Sequence, residues 1–196
     1  MIAVHELGLA DSIALVPTIV SSLKTDPVLA SHSYIGQLPT LVLDDGMAIF
    51  DSTVICEYLS QLRPEIGLLP AETRAHFDAL RRQATGNGMM ETLVRWMSEA
   101  NRPAATRSAP HMEAFGLKMN RILDALEADA GQFTGTKLDI GHIAIGCALS
   151  YADFRMDSLN WRNGRPLLTA WYRSFAARPS VTATLFEGEL QNKAVD

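Results

Sequence analysis

The chain has 196 residues, of which 47% are apolar and 20% charged, and its formal net charge is −5. That length suits one large domain or two small ones, and the composition is that of an ordinary globular protein. The acidic balance argues against general nucleic-acid affinity, which needs clustered Lys and Arg, and no stretch approaches the roughly 18 continuous apolar residues of a membrane span.

The densest basic pair, Arg81-Arg82, reads as a solvated helix face. The opening residues Met1-Ile2-Ala3-Val4-His5-Glu6 have no basic segment before an apolar core, so they are not a signal peptide. Cys56 and Cys147 stand far apart inside apolar helical patterns. Two such cysteines make no disulfide framework, and they read as small buried hydrophobes in a reducing cytoplasm.

Residues 1–7 read as the end of a helix, with Gly8 at the left-handed C-cap position and Leu9 as its apolar contact. Residues 13–20, Ile-Ala-Leu-Val-Pro-Thr-Ile-Val, are rich in β-branched side chains and predict a short strand, its Pro at an edge or end. Asp26-Pro27 opens a short helix, Asp as cap and Pro at the first helical position. A run from Gly36 to Pro39 leads into Thr40-Leu41-Val42-Leu43; Asp45-Gly46 predicts a tight hairpin turn and Met47-Ala48-Ile49-Phe50 the return strand. Asp51-Ser52 caps a helix with Val54, Ile55, Tyr58, Leu59 and Leu62 on one face.

Two prolines and a glycine between 64 and 71 predict an interdomain linker. Beyond it every strong pattern is helical. A long helix runs from about Ala71 to Glu99, with a bend expected at Gly86-Asn87-Gly88; a second starts at Pro110; a third spans Asp139 to Phe154; a fourth starts near Pro166 and stops at Arg178-Pro179. The expected division is therefore an α/β domain over 1–63, the linker 64–71, an all-α domain over 72–180 and a tail over 181–196.

A small strand–helix–hairpin–helix unit followed by a helical domain resembles the cytosolic glutathione S-transferases, and is most similar to bacterial members. The likeness runs from His5-Glu6-Leu7-Gly8-Leu9 to Arg178-Pro179-Ser180. It implies a thioredoxin-like first domain, incomplete at its start, and an all-helical second domain. It also implies a cis peptide at Leu38-Pro39, leaving the backbone of Leu38 open to the cysteinyl part of glutathione as a short strand would be. Asp51 and Ser52 fall where the family holds the γ-glutamyl end: helix N–H groups and a hydroxyl suit its carboxylate, and the Asp carboxylate suits its ammonium. The family more often has Glu or Gln before that Ser. Gln37 matches a position that often contacts glutathione. The implied glutathione-binding set is Gln37, Leu38, Pro39, Asp51 and Ser52.

In the helical part, the segment from Leu138 to Ile143 matches a capping motif of the family, with Asp139 as cap and Leu138 stapled onto Ile143. His142 stands where the family has a buried Asp, which argues against a full reciprocal capping box. No partner residue marks His142 as a metal ligand, and no metal is expected.

Family members begin with a strand and a loop bearing a catalytic Ser, Tyr or Cys before the first helix. By usual element lengths, roughly 15–20 such residues are expected to be absent here, so no catalytic residue is assigned. Three explanations stay open: a longer natural protein, another segment filling the place, or a non-catalytic derivative.

The resemblance implies a cytoplasmic homodimer that takes glutathione as co-substrate. It would transfer the thiol to hydrophobic electrophiles in detoxification, with Met89, Met90, Leu93, Trp96 and Met97 as candidates for lining the electrophile's cleft. A stripe packed inside the helical bundle explains those five equally simply. The alternative function is a non-catalytic interaction module of the same fold.

Overall fold

The computed structural model describes residues 1–20 and 26–185. The chain divides into two units, one over residues 1–69 together with the segment from Ala183, the other over residues 70–182.

The first unit opens with α1 (Ile2–Glu6), which buries Ile2, Ala3 and Val4. It ends as the sequence predicts: Gly8 takes φ +65°, its N–H donates to the His5 carbonyl at 3.0 Å, and the Leu9 N–H donates to Val4 at 2.9 Å. This paired arrangement satisfies the last carbonyls of the helix. α2 (Pro27–His32) starts on Asp26, whose carboxylate accepts from the Leu29 N–H at 2.9 Å.

The expected strand at 13–20 is not formed. The described part of the sheet is a two-stranded antiparallel hairpin of β1 (Leu41–Val42) and β2 (Ala48–Ile49). Leu15, Val16 and Ile19 are exposed, and no backbone among the described residues forms a ladder with theirs. A β-branched run reports only what a segment can do; a strand also needs a neighbouring backbone to accept and donate its hydrogen bonds.

In the hairpin, Leu43 donates to Met47 and Gly46 donates to Leu43, both at 2.9 Å, and the Asp45 carboxylate accepts from the Met47 N–H. Gly46 sits at φ +86°, where only glycine is at ease, and closes a three-residue loop. α3 (Ser52–Leu62) follows. It buries Ile55 and Leu59, while Val54 and Leu62 stay exposed, so its apolar face is narrower than the sequence suggests.

The second unit is helical: α4 (Thr73–Ala100), α5 (Ala109–Phe133), α6 (Ile140–Arg155), α7 (Pro166–Ala176) and α8 (Pro179–Thr182). α4 starts on the Glu72 carboxylate, which accepts from the N–H groups of Arg74 and Ala75, and continues as one helix through Gly86-Asn87-Gly88. The glycine at 86 serves packing and does not break the helix. A Cβ there would lie 2.4 Å from the Ala144 carbonyl carbon on α6, and one at Gly141 would lie 2.5 Å from the Ala79 carbonyl oxygen on α4. A Cβ at Gly88 would meet nothing within 4 Å.

The same two helices share a polar lock. The Asp139 carboxylate accepts from the His142 N–H at 2.9 Å, and His142 Nδ1 accepts the Asp139 N–H at 3.2 Å, so the reciprocal capping box is complete. The sequence-based expectation against it fails because a neutral imidazole nitrogen accepts a hydrogen bond as a carboxylate does. Arg82 of α4 donates to the other Asp139 oxygen. Burial on its own would raise the Asp139 carboxyl, but His142 and Arg82 outweigh it and hold the carboxyl down to about 2.

α5 and α7 are joined similarly. Arg165, just ahead of α7, is buried and donates to Asp124 through Nε (2.9 Å) and Nη2 (2.6 Å). Glu127 of α5 accepts from the N–H groups of Leu167 (3.0 Å) and Leu168 (2.7 Å), capping α7 from a neighbouring helix. Among the described residues no helix is long and apolar enough to cross a membrane.

Two stability measurements follow from this packing. Gly88→Ala gains about 1 kcal/mol in urea unfolding from helix propensity alone. Gly86→Ala loses about 1–3 kcal/mol or more, because the clash is with backbone. Equal effects at the two sites would show that the helices do not touch there. For Asp139, the folded carboxyl lies below its unfolded value near 3.8. Its contribution is therefore fully present above about pH 4 and fades as pH falls toward 2, by on the order of 2 kcal/mol. Asp139→Asn, compared by acid-dependent urea unfolding, should remove that dependence.

Candidate functional site

The hairpin register places the start of β1 and the end of β2 at one end. Leu41 pairs with Ile49 and Val42 with Ala48. Residues Gln37 to Pro39 lead into β1, and Asp51 and Ser52 follow β2 into α3, both at the open end of the hairpin. The Leu38–Pro39 peptide is cis, as the sequence reading expects, and so is Phe50–Asp51.

Each of these residues presents polar groups. Leu38 is 45% exposed, and neither its N–H nor its carbonyl is hydrogen-bonded among the described residues. Gln37 is exposed, and its carbonyl accepts from the Thr40 hydroxyl at 3.0 Å. Asp51 caps α3: one carboxylate oxygen accepts from the Thr53 N–H at 2.9 Å, and the exposed side chain keeps acceptor capacity on its other oxygen. Ser52, at the first position of α3, is half-buried, and its hydroxyl has no hydrogen-bond partner among the described residues. A backbone N–H and carbonyl left open, a hydroxyl at a helix N-terminus and a carboxylate beside it form a set that suits a peptide carrying a carboxylate and an ammonium.

Sequence reasoning did not identify the apolar floor near this set. Tyr34 and Phe50 meet edge to face with ring centroids 5.1 Å apart. Together with Met47, Val54 and Tyr58 they line a depression on the hairpin and α3, with Glu57 at its polar side. An aromatic placed just before the hairpin and another just after it were the available signal.

On α4, Met89 and Leu93 are buried, while Met90, Trp96 and Met97 are half-buried. Trp96 lies over α5, where a Cβ at Gly116 would sit 3.4 Å from its ring. Of the five, only the half-buried three have side-chain surface open to a ligand. Cys56 is half-buried, and burial pushes its thiol up, which disfavours the thiolate a nucleophile needs. Among the described residues, no group of three or more His, Cys, Asp or Glu could hold a metal ion.

The family description "Glutathione S-transferase, N-terminal domain" matches residues 1–62, and "Glutathione S-transferase, C-terminal domain" matches residues 109–174. Among characterised structures, the chain is similar to a glutathione transferase family member from Pseudomonas fluorescens Pf-5 solved with bound glutathione. The two share 33% identity and a TM-score of 0.89, over 93% of this chain and 90% of that one. It is also similar to a glutathione S-transferase from Methylobacillus flagellatus KT with glutathione bound, at 27% identity and a TM-score of 0.82, over 93% and 90% of the two chains. The GST-like protein YibF of Escherichia coli strain K12 is 29% identical over 163 residues, 82% of this chain and 81% of that protein.

Proposed function

The chain belongs to the glutathione S-transferase family, and from that premise we propose that it binds glutathione at the open end of the β1–β2 hairpin. The observation that carries this reading is a hairpin entered just after the exposed Leu38 and left directly into the start of α3 at Asp51 and Ser52. The free N–H and carbonyl of Leu38 pair with the cysteinyl residue as a short strand does. The Ser52 hydroxyl and the first N–H groups of α3 receive the γ-glutamyl carboxylate, and Asp51 takes the ammonium. Gln37 and Pro39 flank the peptide. Two similar structures with glutathione bound support the ligand.

The reaction in this reading is transfer of the glutathione thiol to a hydrophobic electrophile. Sulfur attacks the electrophilic carbon as a thiolate, and either a leaving group departs with the bonding pair or, at an activated double bond, the π bond breaks and the adjacent carbon takes a proton from water. Met90, Trp96 and Met97 supply adaptable apolar contacts for that second substrate. Family membership supports a homodimer acting in the cytoplasm.

The affinity of glutathione, measured by calorimetry, tests the binding site. Ser52→Ala removes a hydroxyl that has no partner of its own, so it should weaken binding about tenfold while leaving stability within about 0.5 kcal/mol. Asp51→Asn keeps a good N-cap but drops the charge, and should also weaken binding about tenfold. Unchanged affinity in both variants would move the site elsewhere. Appearance of the conjugate with 1-chloro-2,4-dinitrobenzene tests the chemistry; binding without turnover would assign the chain to the non-catalytic module.

A further inference from the structure

The first unit leaves one strand edge open. Val42 pairs with Ala48, and the neighbouring Leu43 N–H donates to the Met47 carbonyl at 2.9 Å. Hydrogen-bonded and non-hydrogen-bonded positions alternate along an antiparallel ladder, so Ala48 turns its N–H and carbonyl away from β1. Among the described residues β2 has no strand on that outer side, and the Ala48 backbone groups meet no described loop or side chain there. Exposed edges are usually blunted by a Lys, a Pro or a covering segment. This edge reads Met47-Ala48-Ile49-Phe50, with neither a charge nor a proline.

The depression between the hairpin and α3 has a volume of about 520 Å³, and all four of those residues line it. Side chains alternate between the two faces of a strand, so four consecutive residues line one hollow together where it follows the strand's edge. α3 contributes Val54, Glu57 and Tyr58 to the hollow. The hollow is open to solvent: Tyr34 is 90% exposed and Met47 59%. Glu57 is exposed and has no ion-pair partner among the described residues. The surrounding chain is acidic, with eight carboxylate side chains over residues 1–69 against two bases, Lys24 and Arg63. Arg63 is itself paired with Glu65 at 2.8 Å.

We propose that the β2 edge and the hollow against α3 dock an extended, arginine-bearing segment of a partner protein. The segment adds to the hairpin as a strand, one of its residues exchanging both backbone hydrogen bonds with Ala48, and its apolar side chains lie against Met47 and Val54. The guanidinium stacks on the exposed ring of Tyr34 and donates to the Glu57 carboxylate as a fork. The acidic balance of the unit draws a basic segment and repels an acidic one. The docking face shares no residue with the glutathione-binding set proposed above.

The experiment titrates the peptide acetyl-Thr-Val-Arg-Val-Thr-amide into the full chain by calorimetry, alongside the same peptide with Gln in place of Arg. Saturable binding is expected, about tenfold weaker for the Gln peptide and about tenfold weaker in Glu57→Gln. At saturation the Ala48 amide, followed by NMR, should exchange with deuterium at least about tenfold more slowly. Val54→Arg places a bulky cation in the hollow from the exposed side of α3. It should weaken the peptide at least about tenfold, with glutathione affinity and sedimentation both as in the wild type. Absence of binding, equal binding of the two peptides, full affinity in Glu57→Gln or Val54→Arg, or an Ala48 amide indifferent to the peptide would each overturn the proposal. So would a smaller assembly in Val54→Arg, which would assign this face to a second copy of the chain.

Discussion

Where Gly86 of α4 meets Ala144 and Ile145 of α6, and Gly141 of α6 meets Ala79 and Arg82 of α4, the two backbones approach so closely that no side-chain carbon fits between them. The helical unit is arranged around that contact. α6 then has other elements on its remaining sides and is apolar almost all round, with buried residues from Ile140 to Ala152. A close backbone contact of this kind needs a fixed register, and the polar lock supplies one. Arg82 reaches Asp139 from α4 while Asp139 and His142 cap each other across the first turn of α6. The next glycine along α6, Gly146, receives the Phe175 ring of α7, so glycine spacing on α6 sets how closely α7 packs as well.

The first unit achieves positioning by a different route. Its ladder is only two residues long on each strand, and much of its apolar surface faces outward. Local chain geometry does the positioning: a closed three-residue turn, an antiparallel register, and a helix that starts immediately after the return strand. That combination puts the approach to β1 and the start of α3 at the same end of one hairpin. A surface of free backbone groups and a helix start fits recognition of a peptide, and the family to which the chain belongs is consistent with that use.

Much of this was legible in the residues. Gly8, Asp26-Pro27, Asp45-Gly46 and Asp51 each carry a local stereochemical demand that one conformation satisfies, and each appears where that demand predicts. Two of the failures have a common origin. The β-branched run at 13–20 needs a partner strand, and the pairing of His142 with Asp139 needs knowledge of a tautomer; neither is a property of the segment alone. Gly86 failed in a related way, since a helix interior shows no local reason for a glycine that a neighbouring backbone requires.

Glu127 carries a consequence for how the helical unit opens. The first amides of α7 have no acceptor of their own and are held by a carboxylate on α5. Fraying, which normally begins at a helix end, is thereby tied to the integrity of a separate helix through Glu127, and to Asp124 through Arg165. The Leu167 and Leu168 amides should therefore exchange with solvent deuterium together with the middle of α5, in one cooperative opening, rather than in the fast regime of a free terminus.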